Sequence, residues 1–158
     1  ILRSVPGYEK MIEATDYLTG TPVGNTVAVI GGGLTGCEIA YELALMGKKP
    51  IIVEMKDDLV SQKGVCLANS SYLREWFDLY KTPVYLETKL KEVGDGYILV
   101  TRKDGNETKI LCDSVISSAG YVPAPIAAKG NVHLVGDCLK VGNLRSVIWR
   151  AFETAAKI

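Results

Sequence analysis

Gly31, Gly33 and Gly36 stand in the spacing Gly-x-Gly-x-x-Gly, with Gly32, Leu34 and Thr35 between them, and Glu54 follows about twenty residues on. This pattern suits the binding of a dinucleotide rather than the making of a bond. The first glycine permits a tight turn from strand to helix. The second lets the main chain approach a pyrophosphate that a Cβ would obstruct, and the third lets the helix pack closely on the strand. A helix opening near Leu34 turns its first N–H groups and the positive end of its dipole toward the phosphates. A carboxylate at Glu54 accepts hydrogen bonds from ribose hydroxyls and repels a 2′-phosphate, which favours NAD(H) over NADP(H). Met55 and Lys56 extend the same candidate site. Lys56 either offsets part of that repulsion or is a solvated loop lysine. Three glycines also make tight turns in other α/β folds, so the surrounding elements decide the reading.

Those elements are favourable. Asn25–Ile30 is a β-branched run apolar on both faces, as a central parallel strand requires. Leu34–Met46 reads as a helix, with Cys37, Ala40, Leu43 and Ala44 at three- and four-residue steps and Gly47 as its stop. Pro50–Glu54 is a second buried strand. Residues 26–54 therefore have the length and order of a strand–helix–strand unit. Residues 55–66 read as polar loop, and Ser70 or Ser71 as the cap of a helix reaching Tyr80. A short strand at Pro83–Leu86 follows. Asp95-Gly96 and Asp104-Gly105 divide Lys89–Cys112 into three alternating strands, a β-meander. Ser114–Ser117 is a further strand, ended by Ala119-Gly120. Val122–Gly130 is a Pro/Ala linker. Val132–Val135 reads as a strand stopped by Gly136-Asp137, and Asn143 as the cap of an amphipathic final helix. Residues 1–25 carry only a short helix near Glu9–Leu18.

The 158 residues suffice for one domain with a core and an appendage. Eighteen basic residues balance eighteen acidic ones, so no net field draws the chain to nucleic acid or to an acidic membrane. No apolar run is long enough to span a bilayer. Cys37, Cys66, Cys112 and Cys138 lack metal-site or dithiol spacing, so no metal site is expected. They read as buried thiols in a reduced, cytoplasmic setting. The only histidine, His133, reads as a packed strand residue. The chain begins on Ile1 rather than methionine and is read as a piece of something longer.

The stretch Val27-Ala28-Val29-Ile30-Gly31-Gly32-Gly33-Leu34-Thr35-Gly36-Cys37-Glu38 resembles the NAD(H)-binding domain of the pyridine nucleotide–disulfide reductase superfamily of flavoproteins. Two later stretches resemble the same superfamily. Asp113–Pro123, containing Ala119 and Gly120, is similar to the segment where the chain leaves the NAD domain and returns to the FAD domain. Val132–Asp137 is similar to the strand whose terminal Gly-Asp pair holds the flavin. The tail from Gly136 to Trp149 narrows the resemblance to the 2-enoate reductase and 2,4-dienoyl-CoA reductase group of NADH:flavin oxidoreductases, related to old yellow enzyme.

The resemblance implies an α/β, Rossmann-like, three-layer fold with a parallel sheet and a β-meander, flanked by short pieces of a split FAD domain. Residues 1–25 would be the lead-in from that FAD domain, 26–118 the NAD(H)-binding domain, and 119–158 an FAD-domain remnant. It implies that Glu38 lies near the nicotinamide, where a first-turn acid complementing the helix dipole is the alternative. It also implies that Gly136 and Asp137 are flavin contacts. FAD would belong to the full-length protein, and FMN in a barrel and an iron–sulfur cluster would lie outside this chain. The expected partner is the remainder of the same polypeptide, the FAD domain and an FMN barrel. The expected role is to position nicotinamide for hydride transfer to FAD, with no catalytic residue in these 158 and little activity in isolation. Two alternatives stay open: an FAD-binding fragment, since the same fingerprint binds ADP of FAD, and a non-catalytic dinucleotide sensor.

Overall fold

Strand β2 (Thr26–Ile30) is buried from Val27 onward, because both of its faces meet apolar layers. A computed structural model describes residues 2–61, 64–127 and 129–158. These form two compact units, 2–119 and 120–158.

In the first unit β2 lies at the centre of a five-stranded parallel sheet ordered β1-β8-β2-β3-β4. Its neighbours are β3 (Lys49–Val53), in register Val27↔Pro50 to Ile30↔Val53, and β8 (Ser114–Ser117), in register Val27↔Ser114 to Ile30↔Ser117. The edges are β1 (Ile12–Glu13) and β4 (Val84–Tyr85). Alternate residues of β2 serve different layers. Val27 and Val29 pack with Ile52 and Ile116 against Cys37, Ile39, Ala40 and Leu43 of α2 (Leu34–Leu45) and Leu73 and Phe77 of α3 (Leu67–Leu79). Ala28 and Ile30 pack with Val53 and Val115 against Val93, Ile98, Val100 and Ile110. The last four belong to an antiparallel sheet of β5 (Lys89–Gly94), β6 (Tyr97–Thr101) and β7 (Glu107–Leu111). Helices on one face and a meander on the other give the expected three layers.

Several expectations are corrected. Residues 9–18 form no continuous helix. A 3-10 turn at Tyr8–Lys10 leads into β1, which pairs with β8, and only Ala14–Leu18 (α1) is helical. Helix α3 starts at Leu67, not after Ser70, whose Oγ donates back to the Leu67 carbonyl at 3.1 Å from inside the helix. The stretch 55–61 is not uniformly polar and solvated, since Leu59 and Val60 are buried.

In the second unit, Val132–Val135 is extended at Val135 but pairs with no described strand. An apolar run becomes a strand only where a neighbour supplies ladder partners. His133 is accordingly exposed rather than packed. Helix α4 (Leu144–Ala155) has the expected cap: Asn143 Oδ1 accepts the Ser146 N–H at 3.0 Å and Ser146 Oγ accepts the Asn143 N–H at 3.0 Å. No described residue of α4 is buried, and Leu144, Ile148, Trp149 and Phe152 are all exposed.

Candidate functional site

The glycine turn sits at the carboxyl end of β2, between the ends of β3 and β8. The chain order places β3 and β4 on one side of β2 and β8 and β1 on the other. This is the switch point at which parallel α/β sheets bind ligands. Gly31 has φ +111°, and a Cβ there would overlap the Ser118 carbonyl. Its N–H donates to the Val53 carbonyl at 2.9 Å, and Ser118 N–H donates to the Ile30 carbonyl at 2.8 Å. A Cβ on Gly36 would overlap the Gly31 carbonyl, so the third glycine lets α2 lie directly on the turn. Gly33 is the N-cap of α2 and has no side chain to occupy the first-turn amides.

Glu54 follows β3 directly and is only 7% exposed. Its side chain turns to the main chain of the turn rather than into either apolar core. Oε2 accepts the Gly32 N–H at 2.6 Å and Oε1 accepts the Lys56 N–H at 2.8 Å. These are charge-assisted bonds to fixed donors, so the carboxylate has one orientation. Met55 and Lys56 are exposed beside it.

Gly32 lacks a Cβ for a reason the motif does not supply. A Cβ would fall 2.5 Å from Leu59 Cδ2 and 3.0 Å from Glu54 Cβ. The segment Asp58–Val60 lies over it as a strap. Val60 N–H donates to the Gly32 carbonyl at 2.8 Å, and the Cys37 thiol donates to the same oxygen at 3.4 Å. Arg74 on α3 donates from Nε and Nη2 to the Leu59 carbonyl, at 2.9 and 2.6 Å, and pairs with Asp58 at 2.8 Å. Asp58, Leu59, Val60 and Arg74 were not legible as site residues. The signal, two apolar residues in a charged loop and an arginine on the next helix, follows no fixed spacing.

Thr35 lies on the first turn of α2, whereas Glu38 lies one residue beyond it, so the expected first-turn acid is absent. With Leu18, Ile39, Tyr41, Glu42 and Leu45 they line an open hollow of about 310 Å³. Ala119 approaches Gly31 directly, its nitrogen 3.1 Å from where a Gly31 Cβ would stand. The first unit thus brings together Gly31 to Gly36, Glu54 to Lys56 and Ala119. Gly120, Gly136 and Asp137 belong to the second unit. There Asp137 is the middle residue of a 3-10 turn at Gly136–Cys138, and its Oδ1 accepts the Gly142 N–H at 3.1 Å.

The thiols differ from the expectation of four buried groups. Cys37 and Cys112 are buried, Cys138 is half-buried and Cys66 is exposed at the N-cap of α3. Burial, reinforced by the Glu54 carboxylate, pushes the Cys37 thiol up to about 12. Burial and the Asp113 charge push Cys112 up to about 11. Neither is a thiolate at neutral pH.

The sequence profile of the pyridine nucleotide-disulphide oxidoreductases matches residues 3–145. The chain belongs to this family. Among its relatives, the cinnamate reductase of Clostridium sporogenes is 34% identical over 164 aligned residues, which cover 98% of this chain and 24% of that protein. The NADH oxidase of Thermoanaerobacter brockii is 28% identical over 170, covering 98% and 26%. A 2-naphthoyl-CoA reductase solved in complex with 2-naphthoyl-CoA superposes with a TM-score of 0.86 at 22% identity, covering 98% of this chain and 24% of that one. The chain spans about a quarter of the length of the curated relatives named here. An oxidoreductase class and a nucleotide-binding, Rossmann-like fold are thus common ground between this chain and its family. Among the described residues no helix is long and apolar enough to cross a membrane.

Proposed function

We propose that this chain is the NAD(H)-binding portion of a flavin-dependent oxidoreductase, and that it positions nicotinamide for hydride transfer to FAD. The observation that carries the reading is the anchored pair of Glu54 and the Gly31–Gly36 turn at the switch point of the sheet. The turn fits a pyrophosphate, because the cap of α2 has no side chain and its first-turn amides lie at the positive end of the helix dipole.

Glu54 fits the adenosine ribose. Each carboxylate oxygen already accepts one main-chain N–H and keeps capacity for a second donor. The ribose hydroxyls would use that capacity. A 2′-phosphate would meet a charge that two main-chain amides prevent from turning away, which supports NAD(H) over NADP(H). In this reading Thr35, on the first turn of α2, and Glu38, just beyond it, lie toward the rest of the dinucleotide. When bound, the nicotinamide supplies the hydride, and the protein supplies orientation and electrostatics.

FAD, and FMN with an iron–sulfur cluster, belong in this reading to the remainder of the polypeptide, which would be the partner of residues 120–158. In that reading residues 120–158, together with the lead-in, are parts of the FAD domain, and Gly136 and Asp137 are flavin contacts. The similarity to a cinnamate reductase supports placement in the enoate reductase group.

Titration of the chain with NADH, NADPH and FAD tests the proposal. NADH should bind most tightly, and Gly33→Val should weaken it by at least about tenfold. Binding of FAD with none of NADH, or an unchanged NADH affinity in Gly33→Val, would overturn it.

A further inference from the structure

The geometry points to Arg74 as a positioning residue for the dinucleotide: it holds the Asp58–Val60 strap that fixes the Gly32 peptide and, through it, Glu54. The inference rests on the proposed dinucleotide reading of the turn and adds to it a residue that touches no ligand.

Gly32 is held at both of its main-chain polar atoms, which lie in successive peptide units. Its N–H is committed to Glu54 Oε2, and its carbonyl receives Val60 N–H and the Cys37 thiol. Its Cα faces Leu59. Two of these four holds, Glu54 and Cys37, come from the local fold of β3 and α2, and the other two, Val60 and Leu59, come from the strap. The strap, however, is not self-supporting. Val60 is a β-branched residue at φ +48°, in the left-handed region that such residues avoid, and it is nonetheless buried. Such a conformation persists only where neighbouring contacts over-determine it.

Leu59 and Val60 pack in the apolar core, and Arg74 adds polar contacts to the two residues that precede Val60. Its planar guanidinium places two N–H groups on one carbonyl, that of Leu59, and pairs with the adjacent Asp58 carboxylate, whose other oxygen accepts the Leu59 N–H at 2.8 Å. No described side chain other than Arg74 and Asp58 hydrogen-bonds the strap. Without Arg74 the Leu59 peptide loses both donors, Val60 relaxes from positive φ, and the Gly32 carbonyl loses its main-chain donor. Gly32 is then held by Glu54 at its N–H but only by the weak thiol donor of Cys37 at its carbonyl, so rotation about Gly32 becomes easier. Rotation moves the ribose-binding carboxylate and the second glycine of the turn together, while the first-turn amides of α2 stay in place.

The defect therefore belongs to the adenosine end of the ligand. In Arg74→Ala, NADH and ADP-ribose should each bind about tenfold more weakly and by the same factor. Proton exchange at the Gly32 and Val60 amides should accelerate while exchange in β2 and α2 does not. Arg74→Lys, which keeps the charge but only one donor direction, should recover part of the affinity. Lys81→Ala, which removes an exposed ion pair with Asp78 beyond the end of the same helix, should change nothing. Wild-type ADP-ribose affinity in Arg74→Ala, tighter binding, or unaltered Gly32 and Val60 exchange would overturn the assignment. If Arg74→Ala does not fold, Arg74→Lys and Asp58→Asn decide by the same measurements. If the unaltered chain binds neither NADH nor ADP-ribose, the dinucleotide reading falls, and the two amides still report whether Arg74 holds the strap.

Discussion

Glu54 holds the Gly32 amide at 2.6 Å, so the carboxylate expected to meet a ribose is also the brace of the turn expected to meet the phosphates. Replacing it tests both roles at once. Glu54→Gln keeps the shape but places an NH2 group against one of two N–H donors. We expect a loss of about 1.5–3 kcal/mol in stability, the usual worth of a hydrogen bond to a charged group, read by urea titration. NADH affinity should fall in the same variant. NADPH affinity should fall less, so the ratio of the two is the informative quantity.

Gly36→Ala inserts a methyl group where the Gly31 carbonyl already stands. Helix α2 must then lift from the turn, at a cost of at least about 2 kcal/mol. Gly105→Ala is the matched control. It has φ +83° and open space around it, so only backbone strain of about 1 kcal/mol is added. A Gly36 variant no less stable than the Gly105 variant would contradict the close approach of helix and turn.

The buried thiols predict an alkaline limit. Cys37, at about 12, and Cys112, at about 11, both lie above the ordinary value of 9.0, because the folded state favours the neutral thiol. The unfolded chain releases these protons first. Their contribution to stability is complete below pH 9 and declines as pH rises through 11 and 12, by up to about 1.4 kcal/mol per pH unit for each thiol. Unfolding free energies measured from pH 8 to 11 should show the decline, and Cys37→Ala should reduce its slope. Ellman's reagent at pH 7.5 should meanwhile modify Cys66 first and leave Cys37 and Cys112 untouched until urea is added.

Asn143→Ala removes one half of a reciprocal cap, since Asn143 and Ser146 each satisfy the other's main-chain N–H. The start of α4 should fray at a cost of about 1 kcal/mol. Faster amide exchange at Ser146 and Val147, with no change in residues 26–54, is the expected pattern.

The central sheet was legible where local rules act alone. The apolar run of β2, the glycine stop at Gly47 and the Asp-Gly turns at 95–96 and 104–105 each encode a boundary within a few residues, and β8 is bounded as read. Elements that depend on distant partners were not. Ile12–Glu13 is a strand only because Ile116 and Ser117 lie beside it, and two residues carry no periodicity. Val132–Val135 shows the converse, a strand-like run without a ladder. At the site, Gly31, Gly36 and Glu54 announced themselves by spacing. Arg74 did not, because its partner is a main-chain carbonyl, and main-chain groups leave no mark in a sequence. Gly32 was legible as a glycine, but its cause, the Leu59 side chain, was not.

Strand β8 is almost the last piece of the first unit to be synthesised, yet it occupies an interior slot: Ile12 pairs with its Ile116, and Val27 with its Ser114. Until residue 117 leaves the ribosome, β2 has an open edge and the meander has only part of a floor to settle on. Pairings this remote in sequence make for slow folding, and an unfilled slot invites foreign strands. The nascent chain thus passes through an interval of vulnerability that ends when Val115 and Ile116 enter the gap.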